Sequence, residues 1–286
     1  MLKYLLTEEE KEKIIAEHEG PLAIMKLGRE NETKRMHIIE QHMLNGVHMP
    51  IYDGIIIAPS AVIGKDTYIY SQAVIGDNVT VGEGCVIFGN TYLENCTIGD
   101  NTVIYPNTFI LNNSKIGSNV KIMENSHIED ATIGDSCVIK ATWITSSVLE
   151  EDVEIGPYSQ VRPDCHISKG VRIGDFVEIK NSNVGENTHA SHLTYIGDTD
   201  CGKRVNFGCG VATANYNGRE KNRTKIGDDC FIGCNTNLVA PVTIEDGAYT
   251  AAGSTVTVTV PEDAVCIARA REVIKEKMAL KYRKDK

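Results

Sequence analysis

Aliphatic residues recur every six positions along most of this chain. One uninterrupted run begins at Ile63, and another begins at Ile98 after a single-residue deletion resets the phase. The triplet Ile-Gly-Asp itself occurs at residues 75, 98, 133, 173, 196 and 226. This spacing fits neither the period of about 3.6 residues of an amphipathic helix nor the alternation of a hairpin strand.

Such a period predicts an all-β fold, a parallel β-helix in which three short strands make each coil of about eighteen residues. The repeating aliphatic side chain points into a narrow prism, and small residues four positions later fill the corners. Gly or Asp directly after the aliphatic residue permits a tight turn. From Ile55 to Val260 the pattern predicts roughly ten or eleven coils.

Two short helices are predicted before the repeat. Thr7 and Glu10 have the spacing of a capping box ahead of residues 11–18. Residues 31–44 are typical of a second helix that stops before Gly46. We expect these helices to cover the open end of the prism, where unpaired strand edges would promote aggregation.

The chain is therefore expected to have three parts. A helical segment occupies residues 1–53, the β-helix occupies residues 54–260, and a basic helix or arm that follows Pro261 occupies residues 261–286. The repeat is interrupted at residues 214–225 by an excursion loop containing Asn, Tyr, Arg and Lys. Insertions of this kind often carry binding groups, although the Asn-Gly pair in this one also suits a plain surface turn.

Composition and charge narrow the functional classes. The chain has 286 residues, 42% of them hydrophobic, which is enough for a large core, and its net charge of −10 argues against nucleic-acid binding. The segment from Arg269 to Lys286 has eight basic and three acidic residues, and forms either a solvated helix or an anion-contacting arm. Without a long apolar run or a signal peptide, we expect a cytoplasmic protein with no membrane partner.

The nine cysteines are expected to be reduced and to have a packing role rather than metal or redox chemistry. None of them forms a Cys-x-x-Cys pair. Most lie where the repeat needs a small residue, namely Cys85, Cys96, Cys137, Cys165 and Cys230.

The segment from Val161 to Arg269 resembles a known family. It contains the stretches VRPDCHISKG, VEIKNSNVG, THASHLTYIGD, ATANYNG and IGDDCFIGCNTNLVAPVTI. Together they are similar to the acetyltransferase half of the bacterial bifunctional enzymes that make UDP-N-acetylglucosamine. The resemblance implies a left-handed β-helix and a homotrimer with sites between neighbouring prisms. It also implies transfer of an acetyl group from acetyl-coenzyme A to the amine of glucosamine-1-phosphate, directly within a ternary complex.

The other half of that family is a uridyltransferase domain with a Gly-rich nucleotide-binding loop. The sequence ahead of the repeat contains no counterpart of it. We therefore expect a freestanding acetyltransferase that serves the UDP-N-acetylglucosamine and peptidoglycan precursor pathway, with a separate uridyltransferase as a candidate partner. Because magnesium belongs to the uridyltransferase half, we expect no metal requirement.

The resemblance assigns the catalytic base to His192, within SHLTYIG. An imidazole titrates near neutral pH and can accept the proton of the attacking amine. The neighbouring His189 is expected to be a surface residue, and Glu178, one coil earlier, to orient the imidazole or hold a sugar hydroxyl. A histidine in a β-helix coil is more often structural, and only the surrounding motif favours catalysis.

The phosphate of the substrate needs fixed positive charge, which the resemblance assigns to Arg162, Lys180 and Lys221. Arg162 and Lys180 are separated by the nominal length of one coil, so a β-helix would stack them on one face. The alternative for this pair is an ordinary exposed charged face. Tyr195 and Asn206 are the remaining sugar-phosphate contacts that the resemblance implies.

The contacts to acetyl-coenzyme A follow the later coils. The resemblance maps them to Cys209, Asn215, Tyr216, Cys234, Ala252 and Arg269. The family usually has Ala in place of Cys209 and Ser in place of Cys234; the thiols keep the small size but are poorer hydrogen-bond partners than a hydroxyl. Cys234 is a candidate redox-sensitive position, and Arg269 supplies a cation for the coenzyme's phosphates.

Three other interpretations are open. In the first, the fold and the coenzyme are the same, but the acceptor is another amino sugar or a nucleotide sugar. A zinc site of the type found in trimeric hexapeptide carbonic anhydrases is disfavoured, because His127 and His166 lie in other coils than His189 and His192. A non-catalytic β-helical scaffold is disfavoured because the expected base and phosphate ligands are all present.

Overall fold

The computed structural model describes residues 5–18 and 20–283 and forms the predicted left-handed parallel β-helix. Each coil except the last gives one strand of two to four residues to each of three faces. Each strand pairs in parallel with the strand one coil away on the same face. The site residues described below are therefore aligned in columns that run along the prism.

Face 1 has twelve strands: Ile56–Ile57, Val74–Ile75, Tyr92–Leu93, Phe109–Leu111, His127–Glu129, Trp143–Thr145, Gln160–Val161, Glu178–Lys180, Tyr195–Gly197, Ala212–Ala214, Asn237–Val239 and Thr255–Val256. Face 2 has eleven: Val62–Ile63, Val79–Val81, Cys96–Ile98, Ser114–Ile116, Thr132–Ile133, Ser147–Leu149, Cys165–Ile167, Asn183–Val184, Thr199–Cys201, Thr224–Ile226 and Val242–Ile244. Face 3 has twelve: Tyr68–Ile69, Val86–Ile87, Val103–Ile104, Lys121–Ile122, Val138–Ile139, Glu154–Ile155, Arg172–Asp175, His189–His192, Asn206–Phe207, Phe231–Ile232, Tyr249–Thr250 and Val265–Cys266.

The inward residues of all three faces stack into one continuous core. Ile69, Ile75 and Ile87 are completely buried, and burying one such side chain stabilises the fold by about 1.5–3 kcal/mol. At the corners, Asn90 and Asn101 adopt left-handed backbone conformations with φ of 57° and 56°. Asparagine is common there because its short polar side chain tolerates a positive φ.

The Gly that follows an inward aliphatic residue is explained by close packing rather than by the tight turn we predicted. A Cβ atom added to Gly64 would lie 2.5 Å from the backbone carbonyl carbon of Gly82, one coil away. The neighbouring coil therefore leaves no room for a side chain at this position. The left-handed turns fall on the corner residues instead.

The prism has about twelve coils, slightly more than the sequence predicted. Several coils are shorter than the nominal length, as the pairing of His127 with Trp143 and of Tyr92 with Phe109 shows. Each deletion in the repeat shortens one coil without ending the ladder. The same length of chain therefore makes more coils.

Both predicted helices are present; the second packs on the first coil, and the first packs against the second. Helix α1 spans Glu8–Glu17 and begins with the predicted capping box, in which the Glu10 amide donates to Thr7 Oγ1 at 3.2 Å. Helix α2 spans Gly20–Leu44, so it begins earlier than predicted. Ile38 and Ile39 of α2 pack into the core of the prism.

The predicted C-terminal helix is wrong for most of its length. Val265–Cys266 instead form the last strand of face 3, paired with Tyr249–Thr250. The β-branched pattern around Val265 favours this extension of the sheet over a helix. A single 3₁₀ helix follows at Met278–Tyr282. Residues 284–286 of the basic end lie outside the described residues.

The excursion loop is present where the repeat is interrupted. Ala212 pairs with Asn237, 25 residues later, whereas the coils before and after it span 17 and 18 residues, so the excursion lengthens this coil by seven or eight residues. The loop leaves the corner between faces 1 and 2 after Ala214 and returns at Thr224. Its tip is a short turn in which Tyr216 bridges Lys221, and the side chain of Asn217 accepts two backbone hydrogen bonds.

The five cysteines expected in the core are buried, and all nine are free thiols. Burial raises the pKa of the Cys96 thiol to about 12, because a thiolate is poorly solvated in an apolar interior. Among the described residues, no helix is long and apolar enough to cross a membrane.

Candidate functional site

A histidine–carboxylate pair lies at the corner between faces 3 and 1. The strands Arg172–Asp175 and His189–His192 pair so that Asp175 lies directly beside His192. The two side chains form a hydrogen bond of 2.6 Å between His192 Nδ1 and Asp175 Oδ1. The imidazole is 59% exposed, so it is accessible to a ligand.

The pair fixes how the imidazole can act. The hydrogen bond from His192 lowers the pKa of Asp175, which keeps the carboxylate charged. With Nδ1 bonded to a carboxylate, Nε2 is the ring nitrogen left to exchange a proton. No hydrogen bond to Nε2 is formed within the described part of the chain.

Asp175 was missed by sequence reasoning, which assigned the orienting role to Glu178. In the structure Glu178 has a different partner. It accepts a hydrogen bond of 2.7 Å from Arg162 Nη1, and this contact raises the pKa of the Arg162 guanidinium. The signal for Asp175 was present, since it ends one of the Ile-Gly-Asp triplets one coil before His192.

Three cations converge on face 1, next to the excursion loop. The register of Gln160 with Glu178 and of Val161 with Ile179 stacks Arg162 beside Lys180, as predicted from their spacing. Contact with the Lys221 ammonium lowers the pKa of Lys180, and desolvation and the charge of Arg162 act in the same direction. Like charges held this close form a binding place for an anion.

The first end of the excursion loop is fastened by a buried carboxylate. Asp198 is 4% exposed and accepts hydrogen bonds from Asn181 Nδ2, at 2.5 Å, and from Asn215 Nδ2. The same Asn215 amide contacts the Tyr195 hydroxyl at 3.2 Å. A Cβ added to Gly197 would lie 2.3 Å from this hydroxyl, so the glycine allows the phenol to lie flat against the coil.

The other end of the loop is fastened by Arg223. Its guanidinium forms a two-pronged bond to Asp200, with Nε–Oδ2 and Nη2–Oδ1 distances of 2.9 and 2.6 Å. It also donates to the backbone carbonyl of Asn181 at 3.1 Å. The loop that carries Lys221 is therefore held on both sides of the cation cluster. Neither fastening was predicted from the sequence.

Asn206 does not join this group within one chain. It lies on face 3, directly beside His189, and its side chain is exposed. The cation cluster lies on face 1. His189 is half-buried. Of the predicted sugar-phosphate contacts, the structure gathers Arg162, Lys180, Lys221 and Tyr195 on face 1 and leaves Asn206 on the adjacent face.

The predicted coenzyme contacts continue the column of His192. Extending the pairing of His189 with Asn206 places Cys209 one coil beyond His192, and the pairing of Asn206 with Phe231 places Cys234 beyond Cys209. Ala252 follows on the next coil, since Phe231 pairs with Tyr249. The side chain of Arg269 reaches this end of the column, with its Cδ 3.9 Å from a Cβ placed on Gly253.

The two loop residues of the coenzyme prediction differ in environment. Tyr216 is exposed at the loop tip. Asn215 is buried, and its amide group is bonded to Asp198 and Tyr195. Asn215 thus has a structural role in fastening the loop, whichever ligand it contacts.

The histidines considered for a zinc site have other neighbours. His127 packs against Trp143 in a tilted arrangement with ring centroids 4.5 Å apart. His166 contacts Glu150 at 2.8 Å. No cluster of three or more His, Cys, Asp or Glu side chains suited to a metal occurs among residues 5–18 and 20–283.

Comparisons with known proteins match this architecture. The family model described as bacterial transferase hexapeptide (six repeats) matches residues 146–181 and 223–257, and the GMPPB C-terminal domain model matches residues 51–147. The bifunctional protein GlmU of Halalkalibacterium halodurans is 50% identical over 250 residues, which cover 87% of this chain and 47% of that protein. GlmU of Clostridium kluyveri (strain ATCC 8527) is 47% identical over 257 residues, or 90% of this chain and 49% of that protein.

The chain thus spans about half the length of these relatives. Among solved structures, LpxA from Bacteroides fragilis 9343, a UDP-N-acetylglucosamine acyltransferase, aligns with a TM-score of 0.28 and 17% identity over 75% of this chain and 70% of that chain. A likeness at that level carries no functional argument.

Proposed function

This chain belongs to the GlmU family of hexapeptide-repeat acyltransferases, and from this membership we propose that it transfers an acetyl group from acetyl-coenzyme A to glucosamine-1-phosphate. The product is N-acetylglucosamine-1-phosphate. The observation that carries the proposal is the convergence of Arg162, Lys180 and Lys221 on the same prism as the His192–Asp175 pair. A base and an anion cradle are the two features that a phosphorylated amine requires.

The cation cluster accounts for binding of the substrate's phosphate. Arg162 presents a planar donor group already oriented by Glu178, and two lysines add charge beside it. Their mutual repulsion lowers the pKa of Lys180. A bound phosphate would relieve this repulsion. Glu178 and Tyr195 are paired on neighbouring strands of face 1, where their polar groups can bind sugar hydroxyl groups.

The His192 imidazole accounts for the proton transfer that acetyl transfer requires. The substrate amine attacks the thioester carbonyl, and His192 Nε2 accepts the proton released from the nitrogen. Asp175 stabilises the imidazolium that forms. The tetrahedral intermediate then expels the coenzyme A thiolate, which takes up a proton. Stabilisation of the developing oxyanion by a backbone amide or an asparagine side chain lowers the barrier by about 3 kcal/mol. No acyl-enzyme is formed.

The coenzyme is proposed to lie along the corner column that begins at His192. Cys209, Cys234 and Ala252 offer small side chains there, which leave room for an extended pantetheine arm. Arg269 is placed near the far end of the column, where it can contact the coenzyme's phosphates. This places the thioester close to the imidazole.

We propose that the active molecule is a homotrimer. Asn206 lies on face 3, whereas the cation cluster lies on face 1. A neighbouring protomer whose face 3 packs over this face 1 would bring an Asn206 side chain to the sugar. We also propose that the protein is cytoplasmic and that a separate uridyltransferase is its partner.

The test is an assay of the purified chain with glucosamine-1-phosphate and acetyl-coenzyme A, in which release of the free thiol is followed. We expect wild-type turnover and a loss of at least about a hundredfold in His192→Ala, with coenzyme binding retained. His166→Ala, which removes a surface imidazole paired with Glu150, is the matched control and is expected to keep the wild-type rate.

Two results would contradict the proposal. An unchanged rate in His192→Ala removes the base assignment. Turnover with other amino sugars or nucleotide sugars, but not with glucosamine-1-phosphate, replaces the proposed acceptor while keeping the reaction type. Failure with every acceptor would favour the scaffold interpretation.

A further inference from the structure

Two cysteine residues lie side by side on the outside of the prism. The strands Asn206–Phe207 and Phe231–Ile232 pair in register, which places Cys209 beside Cys234 two residues later. The pairing persists at this point, because the Asn235 amide donates to the Cys209 carbonyl at 2.8 Å. The two residues therefore occupy the same corner position on consecutive coils.

These two thiols are reachable by solutes. Cys234 is exposed and Cys209 is half-buried. The six other cysteines between residues 85 and 230 are all buried within the prism: Cys85, Cys96, Cys137, Cys165, Cys201 and Cys230. A reagent that reacts only at the surface should therefore distinguish the pair from those six.

The spacing suits a covalent bond between the sulfurs. Neighbouring strands lie about 4.8 Å apart, and disulfides join cysteines whose Cα atoms are about 4.4–6.8 Å apart. The backbones approach closely here, since a Cβ placed on Gly208 would lie 2.9 Å from the Cα of Cys234. Side-chain rotation, with a small shift of the corner, brings the two sulfurs together.

A base is available in the same column. His192 lies one coil before Cys209, as the pairing of His189 with Asn206 requires. Its imidazole is bonded to Asp175 through Nδ1 and is open to solvent. An imidazole beside a thiol can accept its proton as the sulfur attacks a disulfide.

We propose that Cys209 and Cys234 form a thiol-modification site that reacts with low-molecular-weight disulfides. The Cys234 thiolate attacks one sulfur of the small disulfide, forms a mixed disulfide and releases one small thiol. The Cys209 thiolate then attacks the Cys234 sulfur and releases the second small thiol. The two protein thiols are oxidised to one disulfide, and the small disulfide is reduced to two thiols.

The consequence for activity rests on the proposed function. The pair lies in the column proposed for the pantetheine arm, directly beyond His192. A disulfide there ties two coils together and removes the space between the thiols. Oxidation should therefore reduce acetyl transfer, and a reductant should restore it.

The experiment uses the full chain and oxidised glutathione as the probe. Wild-type protein should lose two reactive thiols and two hydrogens of mass, and peptide mapping should find a crosslink between the peptides of Cys209 and Cys234. Cys209→Ala should instead retain a glutathione adduct on Cys234. Cys266→Ala, which removes a half-buried thiol elsewhere, is the matched control and should form the same crosslink as wild type.

The crosslink and the acetyl-transfer activity are measured separately, so failure of the thiol-modification site can be distinguished from failure of the proposed function. A stable glutathione adduct on both cysteines of the wild type, or no reaction at either, overturns the site. For activity, each protein is compared with itself before and after oxidation. The acetyl-transfer activity of the wild type should fall at least about tenfold on oxidation and recover with dithiothreitol. The activity of the double variant Cys209→Ala/Cys234→Ala should not change on oxidation. A crosslink that leaves wild-type turnover intact refutes the consequence for acetyl transfer and the coenzyme path.

Discussion

At the scale of single residues, the behaviour of His192 depends on the carboxylate one coil below it. The bond between Asp175 Oδ1 and Nδ1 sets the ring orientation and leaves Nε2 to exchange the proton. Since this bond lowers the pKa of Asp175, the pair persists at neutral pH and is lost only when acidification protonates the carboxylate. Asp175 is thus a positioning residue.

We predict that Asp175→Asn lowers kcat by about tenfold to a hundredfold, less than the loss of the base itself. The amide keeps the size of the side chain but no longer stabilises the imidazolium. Steady-state kinetics over a pH series should show a changed pH profile of kcat with little change in the KM of either substrate.

Asp164→Asn is the matched control for this substitution. It makes the same chemical change at an exposed corner with φ of 65°, which asparagine tolerates. It should keep both the wild-type rate and the wild-type pH profile. An unaltered pH profile in Asp175→Asn would show that the carboxylate does not act through the imidazole.

Residue-scale prediction from the sequence succeeded for Arg162 and Lys180 and failed for Asp175. The first two are separated by the nominal coil length, so counting along the chain was enough to stack them. Asp175 and His192 are separated by less than the nominal coil length. By spacing alone, Glu178 was an equally plausible partner of the His192 imidazole. Only the register of the two strands shows which carboxylate reaches it.

At the scale of elements, the excursion loop matters because it presents Lys221 to the other two cations. The Asp198–Asn215 contact fastens its first end and the Arg223–Asp200 pair fastens its second end. The sequence showed where the loop lies and what charges it carries. It did not show these fastenings, since their partners come from earlier coils.

We predict that Arg223→Lys raises KM for the sugar phosphate by about tenfold, with a smaller change in kcat. Lysine keeps the charge but cannot form the two-pronged bond to Asp200, so Lys221 is held less firmly. The measurement is the steady-state kinetics of acetyl transfer with the sugar phosphate varied.

A second arginine gives a closely matched comparison. Arg204 forms the same two-pronged bond to Asp229, with distances of 2.6 and 2.7 Å, at a corner away from the loop. Arg204→Lys should leave KM unchanged. Equal effects of the two substitutions would mean that the fastening of the loop has no special role in substrate binding.

At the scale of the whole molecule, the separation of Asn206 from the cation cluster predicts an assembly. We expect light scattering to give three times the chain mass of 31.4 kDa. We also expect mixed trimers of Arg162→Ala and Asn206→Ala chains to be more active than either variant alone. An intact site forms wherever the Arg162 of one chain meets the Asn206 of the next.

A monomer in light scattering, or mixed trimers no more active than the single variants, would refute the composite site. To make the comparison fair, the two variants should be co-expressed and purified through different affinity tags. Homotrimers of each variant, prepared in the same way, give the baseline activities.

The sequence by itself determined the prism, its inward residues, the covering helices and the position of the excursion. The prism, its inward residues and the excursion depend on whether a residue points inward, outward or into a corner, and the six-residue period records that choice directly. The helices were predicted from other local signals, the capping box at Thr7 and Glu10 and the stop at Gly46. The structure of the C-terminal segment could not be predicted in this way, because its last strand forms only by pairing with Tyr249–Thr250.

The tertiary structure decided which outward residues meet wherever a coil departs from the nominal length. Coils of several different lengths occur in one prism, as the pairs His127–Trp143, Tyr92–Phe109, Gln160–Glu178 and Asn206–Phe231 show. The neighbour of a given side chain therefore depends on the length of the coil that separates the two residues. For this reason the pairing of His192 with Asp175, the fastenings of the loop and the adjacent thiols follow from the stacked coils and not from spacing along the chain.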